Sequence, residues 1–126
     1  MAHRILVVDD VPDTAEAVAI LLTTLGHEAK PLTDPRQAIA TARVFRPAMV
    51  LLDIGMPHIN GYQLCPLLRK ALEPAAVQIV AVTAWGSQTD RAHSRAAGFD
   101  AHLVKPIDTA LLQAIIEELL GSAESN

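Results

Sequence analysis

A chain of 126 residues, 51% of them hydrophobic, has room for one packed core and leaves little for disorder. Ten Lys and Arg against fourteen Asp and Glu give a net charge of −4, and without a basic cluster the balance argues against direct nucleic-acid binding. No apolar run reaches the roughly 18 residues of a membrane span, acidic residues come too early for a signal peptide, and the single cysteine, Cys65, rules out an internal disulfide, so a cytoplasmic setting is expected.

In chain order, strand-like runs alternate with segments of helical period. Residues Arg4 to Val8 read as a strand buried on both faces, which runs straight into the adjacent carboxylates Asp9 and Asp10. Pro12 suits a first helical turn, and Ala15, Val18, Ala19, Leu22 and Leu25 repeat at helical steps up to Gly26. A second strand, Glu28 to Leu32, precedes a helix start in which Asp34, Pro35 and Gln37 resemble an N-cap, N1 and capping box. Met49 to Leu52 form the third strand, and a second capping box, Asn60 with Gln63, opens the third helix. Pro66 lies inside that helix, so a kink or a late start is expected there. Gln78 to Val82 and Ala101 to Val104 complete the strands. The last helix starts at Asp108, carries Leu111, Leu112, Ile115, Ile116, Leu119 and Leu120, and stops at Gly121.

Five such β-α repeats with short connections predict an α/β fold: a five-stranded, doubly wound parallel sheet with helices on both faces. One domain is expected over residues 1–121, followed by a short tail at 122–126. Cys65 reads as a buried small hydrophobe, and His3, His27, His58 and His93, without ligand spacing, read as surface residues.

In parallel sheets ligands bind outside the carboxyl ends of the strands. There the sequence places Asp9 and Asp10, Asp53, Thr83 and Lys105, at or just past the ends of four different strands. Taken singly, Asp10 reads as a helix cap, Thr83 as a β-branched strand residue and Lys105 as a solvated amine. Their shared position is harder to explain that way. Three carboxylates within a few ångströms repel by roughly 4 kcal/mol per pair at an effective dielectric of 20. Mg²⁺ relieves such a site, and one Asp is then left to act as a nucleophile towards a phosphoryl group, with Lys105 and Thr83 serving its oxygens.

The stretches "RILVVDD", "VLLDIGMPHINGYQL", "IVAVTAW" and "HLVKPID" together resemble the receiver domains of two-component response regulators, related to the chemotaxis regulators. The resemblance spans nearly the whole chain. It implies the flavodoxin-like strand order 2-1-3-4-5 and an Asp53 that takes a phosphoryl group from a sensor histidine kinase or a histidine phosphotransfer protein. It also implies Mg²⁺ bound by Asp10, Asp53 and the carbonyl of Gly55, with Asp9 acting through water, and a cis Lys105–Pro106 bond. Phosphorylation would then switch the face made by the fourth helix, fifth strand and fifth helix towards an unknown output protein, with the kinase contact near the first helix. His102 stands where such domains often carry a Tyr or Phe, and reads equally as a readout residue or as an exposed residue of an edge strand. Trp85, two residues after Thr83, reads either as a shield against water or as a partner contact. Arg91 and Arg95 read as a solvated helix face. A Mg²⁺-dependent phosphohydrolase is the enzymatic rival, but Gly55 stands where such enzymes carry a second acid. A receiver belonging to a hybrid histidine kinase is the other alternative, since the sequence does not set the domain's context.

Overall fold

The computed structural model describes residues 2–57, 59–84, 92 and 95–121. They contain β1 (Arg4–Val8), α1 (Pro12–Thr24), β2 (Glu28–Leu32), a 3₁₀ turn (Pro35–Gln37), α2 (Ala38–Phe45), β3 (Met49–Asp53), α3 (Gly61–Ala71), β4 (Gln78–Thr83), β5 (Ala101–Val104) and α4 (Thr109–Leu120). Most of the expected helix between β4 and β5, with Trp85, Arg91 and His93, lies outside the described residues, as do His58 and the tail at 122–126, while Arg95 is helical and exposed as expected. The last helix, fifth in the sequence reading, is therefore α4.

All five strands are parallel, in the order β2-β1-β3-β4-β5. β3 and β4 each run one residue further than their sequences suggested, because Asp53 pairs with Val82 and Thr83 with Val104. Side chains alternate across each strand and so fill two separate cores. Leu6, Val8, Val50, Leu52, Ile79 and Ala81 pack with Ala42 of α2 and Leu64, Cys65 and Leu68 of α3. On the other side, Ile5, Val7, Met49, Leu51, Val80, Val82 and Leu103 pack with Val18 and Leu22 of α1 and Leu112, Ile115 and Ile116 of α4.

The helix ends explain most of the boundaries. Gly26 adopts φ +95°, a left-handed exit that L side chains rarely take. The Asn60–Gln63 box forms in full, with Gln63 N–H donating to Asn60 Oδ1 at 2.9 Å and Asn60 N–H donating to Gln63 Oε1 at 3.1 Å. Asp108 Oδ1 accepts from Leu111 N–H at 3.1 Å.

The expected box at Asp34 does not form. Its carboxylate accepts from the N–H and guanidinium of Arg36, so it caps a 3₁₀ turn and α2 begins only at Ala38. Pro66 lies inside α3, yet the helix starts at Gly61, so there is no late start. Leu111 is 50% exposed, and the buried stripe of α4 is narrower than its sequence suggested. His27 is buried rather than on the surface, because the chain turns under the end of α1. Its Nδ1 accepts from His3 N–H at 3.2 Å, and the two rings stack with centroids 5.5 Å apart. Cys65 is buried as expected, and burial raises its thiol pKa.

Arg69 ties α3 to the sheet. It donates to the carbonyls of Val77 and Gly98 at 2.9 and 2.7 Å and to the Asp100 carboxylate at 2.6 Å. The Lys105–Pro106 bond is cis. Among the described residues no helix is long and apolar enough to cross a membrane.

Candidate functional site

Strand alternation brings the charged residues together. Asp9 continues the row of Ile5 and Val7, Asp53 that of Met49 and Leu51, and Lys105 that of Leu103, so all three extend rows that line the α1/α4 core. Because neighbouring strands end level with one another, the three side chains meet. Lys105 Nζ lies 2.9 Å from Asp9 Oδ2 and 3.5 Å from Asp53 Oδ2. Asp10 joins them from the following position. One carboxylate oxygen from each of Asp9, Asp10 and Asp53 lies within 4.8 Å of the others, with Asp9 and Asp53 buried and Asp10 half-buried.

The reading of Asp10 as a helix cap is not met. Val11 holds the N-cap position without a side-chain bond, and it is Asp9 Oδ1 that accepts from the Val11 N–H, at 3.0 Å. Asp53 Oδ1 accepts from the Gly55 N–H at 3.3 Å. The sequence directed attention to the Gly55 carbonyl; its N–H is a further contact that no side-chain pattern could reveal. Thr83, at the end of β4, is buried and belongs to the opposite row of its strand, and the Lys105 N–H donates to its carbonyl at 2.8 Å. His102 lies half-buried on the edge strand β5, opposite Ala81, so it is not the fully exposed residue one reading supposed.

The electrostatics are those of an acidic cluster short of cations. Burial raises the Asp53 carboxyl above its ordinary value, the charge of Asp9 adds to this, and Lys105 and the Gly55 N–H oppose it. Burial alone would lower the Lys105 ammonium, but the hydrogen bond to Asp9 and the charges of Asp53 and Asp9 leave it raised. Among the described residues, the cation contacts of the three carboxylates are those of Lys105 with Asp9 and Asp53, and one positive charge does not balance three negative ones. The donors are all hard oxygens on a short radius, which fits a small divalent cation such as Mg²⁺.

The family model of the response regulator receiver domain matches residues 5–117, and the chain belongs to that family. It is therefore a receiver domain, a phosphoacceptor signalling module of two-component systems. The protein PilH of Pseudomonas aeruginosa is 33% identical over 94% of this chain and 98% of its own length. The DNA-binding response regulator MtrA of Mycolicibacterium smegmatis is 36% identical over 98% of this chain, which spans 53% of that longer protein. Among solved structures, the receiver domain of a sensor histidine kinase from Pseudomonas aeruginosa PAO1, which has a magnesium ion coordinated in its active site cleft, superimposes with a TM-score of 0.84 at 31% identity, covering 97% of this chain and all of that one.

Proposed function

We propose that Asp53 is the phosphoacceptor, that Asp9, Asp10 and Asp53 with the Gly55 carbonyl hold Mg²⁺, and that Lys105 and Thr83 receive the phosphoryl oxygens. The observation that carries this reading is the meeting of three carboxylates within 4.8 Å while Lys105 spans two of them. Bound Mg²⁺ would neutralise charge on the carboxylates and on the phosphoryl oxygens. An Asp53 carboxylate oxygen attacks the phosphorus of a phosphohistidine on a kinase or phosphotransfer protein. A P–O bond forms, the P–N bond breaks, and the histidine nitrogen keeps the electron pair and takes a proton from water.

The phosphorylated Asp53 carries about −1.5 to −2 charges and three strong acceptors. Lys105 is already beside Asp53, and Thr83 ends the adjacent strand β4, so both are placed to donate to these acceptors. Closing them on the new group favours one arrangement of the segments after β4 and β5, and this change is read by an output partner on the β5 side. The domain comprises residues 1–121. The chain acts as a signalling module without turnover of a substrate, in the cytoplasm.

Intact mass after exposure to acetyl phosphate and Mg²⁺ tests the reading. The parent gains one phosphoryl mass and Asp53→Asn gains none. Equal gain by both proteins, or none by the parent, refutes it.

A further inference from the structure

Gly61 is the first residue of α3, eight positions beyond Asp53, and no chemistry has been assigned to it. Its surroundings are backbone. A Cβ built on Gly61 would lie 2.8 Å from the Asp53 carbonyl oxygen and 2.9 Å from the Ile54 Cα, closer than real Cβ atoms come. The Gly61 N–H also donates to the Ile54 carbonyl at 3.1 Å, while the Ile54 N–H donates across to Val82 at 3.0 Å. The chain thus leaves the end of β3 at Ile54 and is back against it at Gly61, which meets the Asp53–Ile54 peptide. Ile54 and Met56 are held in the core.

We infer that Gly61 is a positioning residue for the phosphoacceptor: its missing side chain lets the start of α3 seat directly on the Asp53–Ile54 backbone and so fixes where the Asp53 carboxylate points. The inference rests on the reading of Asp53 given above. Neither obstructing atom can rotate away, because both belong to the main chain. Any side chain at this position must push the end of β3 or the start of α3. Asp9, Asp10 and Lys105 follow other strands and do not move with Asp53. A shift of a few tenths of an ångström therefore changes the separations within the carboxylate cluster, not merely its location.

The experiment compares the parent with Gly61→Ala and Asn60→Ala. Asn60→Ala weakens the same helix start by removing its cap, but places no atom against β3. Each protein is melted with and without Mg²⁺, and phosphoryl uptake from acetyl phosphate is timed. The rise in melting temperature on adding Mg²⁺ reports affinity even for a variant of reduced stability. Gly61→Ala is expected to lose most of that rise and to take up phosphoryl about tenfold more slowly, in line with the sensitivity of reaction rates to sub-ångström misplacement. Asn60→Ala is expected to melt lower while keeping both responses. A folded Gly61→Ala that matches the parent in Mg²⁺ response and rate overturns the inference, as does an Asn60→Ala that loses both to the same degree. A parent that takes up no phosphoryl group overturns the assignment of Asp53 instead.

Should Gly61→Ala not fold, amide exchange in the parent decides. A seated Gly61 predicts an N–H protected from exchange whose resonance shifts on adding Mg²⁺. Exchange at the free-chain rate, or a resonance indifferent to the ion, overturns the inference.

Discussion

Replacing Asp53 by Asn should stabilise the protein in the absence of divalent ions and weaken it relative to the parent in their presence. Carboxylate oxygens of Asp9 and Asp10 lie within 4.8 Å of Asp53, where each pair repels by roughly 3.5 kcal/mol at an effective dielectric of 20. Lys105, at 3.5 Å, returns about 5 kcal/mol by the same measure. The Asp53 charge therefore costs the divalent-free protein about 2 kcal/mol net, and its burial adds to the cost. For a domain of this size that corresponds to a melting temperature about 5–10 °C higher for Asp53→Asn in a chelator. The pH dependence has a definite sign. The folded-state carboxyl of Asp53 is raised above 3.8, so the native protein holds a proton that the unfolded chain releases. This contribution to stability is present below 3.8 and is lost as pH rises through the folded-state value. The parent should accordingly gain on Asp53→Asn as the solution is acidified towards that value. Saturating Mg²⁺ stabilises the parent by about 2.7 kcal/mol at one hundred times its dissociation constant, and should cancel or reverse the order of the two proteins. Differential scanning calorimetry in chelator and in Mg²⁺ measures both effects. An Asp53→Asn protein that melts no higher than the parent in chelator, or gains as much from Mg²⁺, would refute the account of the site as an uncompensated acidic cluster.

Lys105→Met removes an ammonium that shares the oxygens of Asp9 and Asp53. Calorimetric Mg²⁺ affinity should rise severalfold, while uptake from acetyl phosphate slows by about a hundredfold for want of a preorganised donor. Burial, and next the nearby His3, lower the pKa of His27 below 6.5. Its neutral form is thus favoured on folding, and the associated stability, complete above 6.5, is lost as pH falls through the folded-state value; His27→Gln should flatten that limb of a pH–melting profile. Arg69→Ala leaves the carbonyls of Val77 and Gly98 without their guanidinium donor, and urea titration should show a loss of about 2–3 kcal/mol.

The sheet and the gathering of Asp9, Asp10, Asp53, Thr83 and Lys105 at one edge were legible in the sequence, because apolar runs mark parallel strands and parallel strands end on the same side. β1, β2 and β5 fall on their expected bounds, and β3 and β4 each run one residue further. What escaped were contests between neighbouring partners. Asp34 has the composition of a capping box, but Arg36 two residues on offers both an N–H and a guanidinium, and the nearer donor wins. Lys105 lies closer to Asp9 than to Asp53, a preference set by side-chain reach within the folded site. His27 looks like a polar turn residue, and only the path of the chain beneath α1 buries it. Gly61 was legible as the glycine that follows "MP" in the stretch resembling receiver domains, but nothing along the chain shows that it is pressed against β3 rather than merely starting a helix.

Alternation along the strands divides the two donors proposed for the phosphoryl oxygens between opposite halves of the molecule. Lys105 stands at the head of a row rooted in the α1/α4 core, whereas Thr83 heads one rooted with Ile79 and Ala81 in the α2/α3 core. A single small anion gripped by both would act as a rivet through the sheet, so that helices sharing no hydrophobic interior would shift in concert.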